Sequence, residues 1–496
     1  MFLLGKFIST FRPSIRYPIF VYSRKPLSTS YVLKDSFVDE EGNEDILNNF
    51  RALSDEIFQP ITGGRQAFIV QPHIKWGPKK KRDTTPELQM EESVSLIKTL
   101  SDWTVEGKEI VPLYSFDDAS FFGSGKLDEL KLKISLNRKI SALFISVNML
   151  KPLQHKVLED FFGLPVYDRY LIVMQIFREH AFTAEAKLQI SLAELPYLYS
   201  RMNHVHSASL QRIGDAASRI SGTTIHTPPD TRKLILHKYE KKLKVSLEKL
   251  EKNRSTFRRK RKTQNFPVVA VVGYTNAGKT SLIRSLTGSN KLVPRDFLFA
   301  TLDVTFHMAQ LPCNLKLFYV DTIGFISDVP THLIEPFRVT LADAMNADLV
   351  IHVQDVSHPD WLFQRDRVIE TLESLDIEKK LLHHVIPVAN KIDLLPSNHG
   401  LTIPDSTNQI SCITGHGINS LAHRIQKEII QTTGRAHLVI RAKTGGEEWQ
   451  WLHSEATVTK AQADPKNDNY SLLSVLITEK VLDAFKRIFI HNYVRK

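Results

Sequence analysis

The stretch "FPVVAVVGYTNAGKTSLIRSL", residues 266–286, decides the fold. Its "VVAVV" is a short β-branched run between Pro267 and Gly273, the pattern of a buried strand. Gly273-Tyr-Thr-Asn-Ala-Gly278-Lys279-Thr280 follows with the spacing G-x-x-x-x-G-K-[ST], and "KTSLIRSL" continues as a helix. Between a strand and a helix, such a loop turns its backbone N–H groups inward around phosphate oxygens. The helix N-terminus adds partial positive charge. From this loop Lys279 reaches the β- and γ-phosphates, and the Thr280 hydroxyl can ligate Mg²⁺. The expected phosphate cradle is therefore Gly273, Tyr274, Thr275, Asn276, Ala277, Gly278, Lys279, Thr280 and Ser281.

Two more motifs follow in order. Asp321-Thr322-Ile323-Gly324 ends the strand pattern "LKLFYVDT". The Asp321 carboxylate can hold Mg²⁺, and the Gly324 N–H can touch a γ-phosphate. Asn390-Lys391-Ile392-Asp393 ends a later strand. Asp393 can accept from guanine N1–H and the 2-amino group, a pairing that adenine does not offer, so the motif selects GTP. Ser411 and Cys412 close the next strand, where backbone meets guanine O6. Many GTPases carry a water-orienting glutamine after the Asp-x-x-Gly, but here the residue is Phe325. Its ring cannot orient water by hydrogen bonding. Three readings stay open: a protein that only binds GTP, a group supplied by a partner, or a cation beside the phosphates. Asn276 occupies a loop position from which, in some GTPases, an Asn helps to bind K⁺. The alternative role for Asn276 is a local backbone cap. On these readings Lys279, Asn276 and Gly324 are the expected catalytic residues.

Outward from this core, strands alternate with helical stretches through "ADLVIHVQDV", "HVIPVANKID" and "TNQISCIT", ending near a helix at 418–432. This predicts an α/β, doubly wound, mostly parallel sheet over 266–433. Upstream, "AFIV" (67–70), "EIVPLY" (109–114), "ALFISV" (142–147) and "LPVYD" (164–168) read as strands. Helices are expected between them at 86–102, 124–136 and 151–162, making a small α/β domain over 66–168. The run "PKKKR" (78–82) falls in a loop, either solvated or touching phosphate. Residues 169–204 read as one helix ending near Pro196. After a turn-rich break at 214–230, a long basic helix repeats Leu236, Leu243 and Leu250 at seven, with Tyr239 and Leu247 between. Residues 169–263 are thus expected to form a helical hairpin with a basic second helix. Residues 436–496, with "HLVIRA", "EATVTKAQ" and "YSLLSVLI", predict a small α+β tail. The acidic, polar stretch 35–65 reads as a linker.

The chain has 496 residues and a net charge of +11, and the charge is concentrated. Residues 231–262 hold fourteen basic and three acidic side chains, as much net charge as the whole chain. Residues 1–34 hold six basic side chains and no acid; outside these two segments the chain is net acidic. The leader is rich in Arg, Ser and Thr, the composition of a mitochondrial transit peptide, with a plain basic tail as the alternative. Two cysteines, Cys313 and Cys412, exclude a disulfide framework and fit a reducing compartment. No apolar run reaches the roughly 18 residues of a spanning helix, so no membrane span is expected. Dense Lys and Arg on one helix suit a phosphate backbone, bound through counterion release.

"GYTNAGKTSLIRSLTG", "LFATLDVT", "DTIGFISDVPTHLIEPFRVTLADAMNADLVIHVQDVSHP" and "NKIDLLP" together resemble the HflX-type GTPases. Upstream, "FFGSGKLDELK", "VYDRYLIVMQIF" and "AKLQISLAELPYLYSRM" resemble that family's N-terminal domain. The likeness runs from about residue 66 to 430, and with the leader it points to the mitochondrial branch. It implies a Mg²⁺-dependent GTPase of the matrix, expected to be monomeric, that binds the large subunit of the mitochondrial ribosome through ribosomal RNA. Splitting of ribosomes and late assembly of the large subunit are both implied. Within the family's pattern Thr301 is the switch threonine that closes on Mg²⁺ beside Thr280 and Asp321. One departure stands out: the family's glycine-rich segment before the long helix is replaced here by "TTIHTPPDTRKLIL". A nucleotide-gated RNA-binding assembly factor with incidental hydrolysis is the competing reading. A tRNA-modification GTPase is a third, without a modification-domain signature.

Overall fold

Three buried strands and a largely exposed edge strand build the first sheet: β1 (Gln66–Ile74), β2 (Thr104–Leu113, the edge), β3 (Ala142–Ile145) and β4 (Val166–Asp168). They pair in the order β2-β1-β3-β4, all parallel. A parallel sheet buries both faces, and the two-residue period divides the side chains between them. Ala67, Ile69 and Phe144 face one core with α1 (Pro86–Thr99). Phe68, Val70 and Leu143 face another with α2 (Ser124–Leu136) and α3 (Pro152–Phe162). The helix expected over 86–102 ends at Thr99, where Leu100 turns extended and closes the last turn onto Ile97. This computed structural model describes residues 47–48, 50–51, 54–55, 64–78, 80–81, 83–201, 229–263, 266–289, 292, 294, 297–302, 304–326, 346–374, 384–396, 403–465 and 467–490. The expected leader (1–34), residues 214–228 of the expected break and residues 327–345 lie outside the described residues; Pro229 and Asp230, expected in the break, already belong to the long helix that follows it.

The single helix expected over 169–204 is two, α4 (Arg169–His180) and α5 (Ala184–Arg201). Thr183 starts the second by accepting a hydrogen bond from the Ala186 N–H at 3.1 Å. Pro196 does not end it but lies inside it. A proline there removes one backbone hydrogen bond, and burial of Leu195, Tyr197, Leu198 and Arg201 around it holds the helix together. α6 (Pro229–Thr263) buries its predicted stripe, Leu236, Tyr239, Leu243, Leu247 and Leu250, in the core that contains α5. Part of the expected linker also belongs to that core. Phe50 is buried edge-on against Tyr239, with ring centroids 5.9 Å apart, and Ser54 donates to Glu194 at 2.7 Å. The acidic composition of the segment hid this short apolar face.

The second sheet runs β10-β9-β8-β5-β7-β6. Its strands are β5 (Val268–Gly273), β6 (Thr305–Gln310), β7 (Lys316–Asp321), β8 (Leu349–Asp355), β9 (Val385–Asn390) and β10 (Asn408–Gln409). All neighbours are parallel except β6 on β7. Helices α7 (Lys279–Thr287), α8 (Trp361–Ser374) and α9 (Ile418–Thr432) accompany it. β5 stands where the strand order reverses, so the loop leaving its carboxyl end opens into the crevice where such sheets bind ligands. The tail is an antiparallel sheet of β11 (Arg435–Lys443), β13 (Asn467–Thr478) and β12 (Thr457–Asp464), with α10 (Glu447–Glu455) and α11 (Glu479–Phe485). Leu452 and Phe485 from those helices share its core with Leu473 and Val475. Among the described residues no helix is long and apolar enough to cross a membrane.

Candidate nucleotide site

The loop from β5 to α7 is set by two close approaches. Gly278 has φ +95°, and a Cβ there would lie 2.3 Å from Asn390 Nδ2. A Cβ on Gly324 would lie 2.8 Å from Thr275 Cγ2 and 3.0 Å from Lys279 Nζ. Glycine is thus favoured at Gly278 by its left-handed turn and the close Asn390 side chain, and at Gly324 by the nearness of the Thr275 backbone. Asn276 adopts a left-handed φ of 59°, a region that Asn tolerates better than most residues, and its side chain is exposed.

Lys279 is buried at the start of α7, with its ammonium donating to the carbonyls of Gly273 (3.2 Å) and Tyr274 (2.9 Å). Burial pulls its pKa down to about 8, against the opposing pull of Asp321. Thr280 Oγ1 donates to Asp321 Oδ2 at 2.7 Å, and Thr301 Oγ1 reaches the same oxygen at 3.2 Å. The two hydroxyls are 3.2 Å apart. Asp321 is buried, and its Oδ1 has no hydrogen-bond partner among the described residues. Two hydroxyls and a carboxylate with a spare buried oxygen form an all-oxygen donor set suited to Mg²⁺. The three sequence-expected metal ligands thus converge, although Thr301 lies 20 residues from Asp321.

The segment after β7 closes on the loop. Phe325 N–H donates to Gly273 O at 3.1 Å, and Thr275 N–H donates to Phe325 O at 2.6 Å. Phe325 therefore joins the site through its backbone, while its ring is buried in the core shared with Val272 and Ile323. The base-recognition residues are tied to the same loop. Asn390 donates to Ala277 O at 2.9 Å and accepts from the Cys412 N–H at 3.4 Å. Lys391, with φ 64°, pairs with Asp355 at 2.7 Å. Asp393 sits exposed in the short 3₁₀ turn after β9. Ser411 is fully buried, its hydroxyl accepting from the Thr414 N–H at 3.1 Å. Burial pushes the Cys412 thiol up to about 12, which favours its protonated form at neutral pH.

Sequence reasoning missed Pro294, Phe297 and Phe299, which line the phosphate cavity with Thr275, Ser281 and Thr301. Phe299 holds a φ of 54° and packs edge-on against Phe177 of α4, with centroids 4.8 Å apart. The signal was the aromatic pair in "DFLFATLD" just before Thr301. The G-x-x-x-x-G-K-T loop, the converging oxygens of Thr280, Thr301 and Asp321 and the Asn-Lys-Ile-Asp turn, set around the switch point of a mostly parallel sheet, define a P-loop GTPase.

Comparison with known proteins narrows this class. Residues 268–391 match the family described as "50S ribosome-binding GTPase". Residues 87–178 match "GTP-binding GTPase N-terminal" and 180–261 match "GTP-binding GTPase Middle Region". "Putative GTP-binding protein 6" of Xenopus laevis is 38% identical over 88% of this chain and 82% of its own length. "GTPase HflX" of Caldanaerobacter subterraneus subsp. tengcongensis is 33% identical over 69% of this chain and 78% of its own. Among solved structures, a GTP-binding protein from Sulfolobus solfataricus in complex with GDP is similar over 74% of this chain and 99% of its own, at 23% identity and a TM-score of 0.38. The chain belongs to the HflX family of GTPases.

Proposed function

We propose that this GTPase binds the large subunit of the mitochondrial ribosome while GTP is bound and leaves it after hydrolysis. The likeness of residues 268–391 to "50S ribosome-binding GTPase" carries the reading. The exposed lysines of α6, among them Lys238, Lys241, Lys242 and Lys249, support it by offering charge to a phosphate backbone. The basic run Arg258, Arg259, Lys260 and Arg261 continues the same helical backbone. In this reading 1–34 is a transit peptide, 66–168 an N-terminal domain, 169–263 an RNA-reaching helical pair, 266–433 the GTPase domain and 436–496 a small C-terminal domain. Splitting of ribosomes and late large-subunit assembly are the two processes it serves.

At the site, Lys279 holds the β- and γ-phosphates, giving up its bonds to the Gly273 and Tyr274 carbonyls. Thr280, Thr301 and Asp321 hold Mg²⁺, which offsets charge on the phosphates when bound. Gly324 meets the γ-phosphate with its N–H. In this reading Asn276 helps to hold K⁺ beside the phosphates, in place of a water-orienting side chain at 325. Asp393 chooses guanine.

Particles captured from matrix extracts with a non-hydrolysable GTP analogue separate the processes. Intact ribosomes falling into subunits on addition of the protein support splitting. Capture of only immature large subunits supports assembly. Recovery of no large-subunit particles contradicts the proposal. A second reading, an RNA-binding assembly factor with incidental hydrolysis, is favoured by the buried ring of Phe325. It predicts that a variant unable to hydrolyse GTP still supports assembly.

A further inference from the structure

A cavity of about 610 Å³ opens in the first sheet, away from the nucleotide site, within the size range of small-molecule pockets. It lies at the carboxyl ends of β1 and β3, lined by Gln71–Ile74 of β1 and by Ser146–Met149 just after β3. In the order β2-β1-β3-β4 the chain moves to one side of β1 and then to the other. The cavity thus occupies the switch point of this sheet, as the nucleotide loop does in the second.

Its floor is a built polar network. Ser93 donates to Gln71 Oε1 at 3.0 Å, Gln71 donates to Gln89 Oε1 at 3.1 Å, and the Ser93 and Ser146 hydroxyls are 2.7 Å apart. Its rim is cationic. Lys80 and Lys81 of the "PKKKR" loop and Lys151 line it, with Arg169 buried behind them, and among the described lining residues the acid is Asp117, which pairs with Lys151 at 2.9 Å. Thr84, Thr85 and Pro86 bring the N-terminus of α1 to the same opening, adding partial positive charge. One wall is apolar, with Phe116 stacked on Phe121 at 5.9 Å and Met149 beside them. Cationic rim, polar floor and flat apolar wall together suit an anion attached to a ring.

The cavity is wired to the GTPase loop. Arg169 pairs with Glu92 on α1, and the other Glu92 oxygen accepts from the Tyr274 hydroxyl at 2.9 Å. Tyr274 is the second residue of the phosphate loop, and its carbonyl receives the Lys279 ammonium. A ligand that draws on the Arg169 guanidinium therefore alters the charge facing Glu92 and, through it, the anchoring of that loop.

We propose that this cavity binds a small phosphate monoester bearing a ring, and that its occupancy is coupled to guanine-nucleotide affinity through Arg169, Glu92 and Tyr274. A monoester carries nearly two negative charges at neutral pH, and the four cations less the paired Asp117 and Glu92 leave an excess of two. Coupling between two binding sites is reciprocal, so each ligand changes the affinity of the other by the same factor.

Phenyl phosphate is the probe, titrated calorimetrically into the full chain with and without saturating GDP and Mg²⁺. GDP fills the phosphate loop and removes binding there. Binding to the GDP-loaded protein is expected, at an affinity at least threefold different from that of the nucleotide-free protein. The exposed-residue variant Lys80→Glu/Lys81→Glu/Lys151→Glu is expected to bind at least tenfold more weakly. In Tyr274→Phe, and in Glu92→Ala as a second test of the link, the two affinities are expected to converge. No binding to the GDP-loaded protein, or undiminished binding by the triple variant, overturns the site. A charge-sensitive interaction with an unphosphorylated oligoribonucleotide, without any with phenyl phosphate, assigns the face to RNA and also overturns it. Equal affinities with and without GDP, or a difference that survives in both link variants, overturn the coupling.

Discussion

Single residues at the nucleotide site divide into those whose side chains act and those whose backbones do. Asp393, exposed in the turn after β9, is proposed to act through its carboxylate. Asp393→Asn is expected to weaken GTP binding by at least tenfold and to favour xanthosine triphosphate, whose base presents the opposite hydrogen-bonding polarity. Unchanged GTP affinity in a direct binding assay would remove the guanine assignment. Phe325 acts through its backbone bonds to Gly273 and Thr275. Phe325→Ala keeps those bonds and loses a buried ring, so its expected cost is stability, about 3–5 kcal/mol for a core phenylalanine. Lys279→Ala loses phosphate binding itself. Nucleotide affinity falling as far in Phe325→Ala as in Lys279→Ala would show that the ring contributes to binding. The motif residues were legible in the sequence because their chemistry tolerates few alternatives at that spacing. The aromatic lining at Phe297 and Phe299 was not, since apolar rings in a loop carry no such signature.

At the scale of elements, the strands and helices with a clean period could be read directly. The leucine repeat of α6 is one case, and its five apolar residues are all buried. Elements governed by contacts distant in sequence could not. β6, "TFHMAQ", is an antiparallel edge strand with mixed polarity, recognisable only from its pairing with β7. The break before α5 carries neither Gly nor Pro and depends on the capping hydroxyl of Thr183. Pro196 misled because its cost is met by tertiary packing. β8 carries a further consequence in His352, buried at its centre. Burial, then Arg365 and Lys279, lower its pKa from 6.5 to about 4. The unfolded chain takes up that proton first as pH falls. Stability that is present above pH 6.5 is therefore lost between 6.5 and about 4, on the order of 3 kcal/mol from this group. Melting temperatures across that window are expected to fall less steeply in His352→Gln; an identical slope would show that His352 does not set the acid limb.

Across the whole molecule, the two sheets share a core in which α4, α5 and α6 meet the GTPase strands. The sequence separately announced two parallel sheets and a basic helix. Their connection through Glu92 and Tyr274, 182 positions apart, follows only from the fold. Under the proposed function this joined core would carry the nucleotide state to α6, whose exposed lysines would meet the RNA. Reversing Arg258, Arg259, Lys260 and Arg261 to Glu is accordingly expected to abolish large-subunit binding and leave basal GTP hydrolysis intact. Undiminished sedimentation of that variant with subunits at physiological salt would reduce the run to a solvated face. If Asn276 helps to hold K⁺, replacing K⁺ by Na⁺ slows turnover, and Asn276→Ala erases the difference; equal rates in both salts would move the missing group to a partner. The most direct measurement is co-sedimentation of the full chain with purified mitochondrial large subunits in the presence of GDP or a non-hydrolysable GTP analogue. The account predicts that the protein pellets with subunits in the analogue and stays in the supernatant with GDP. Equal partition in the two nucleotides, or no association in either, would contradict it.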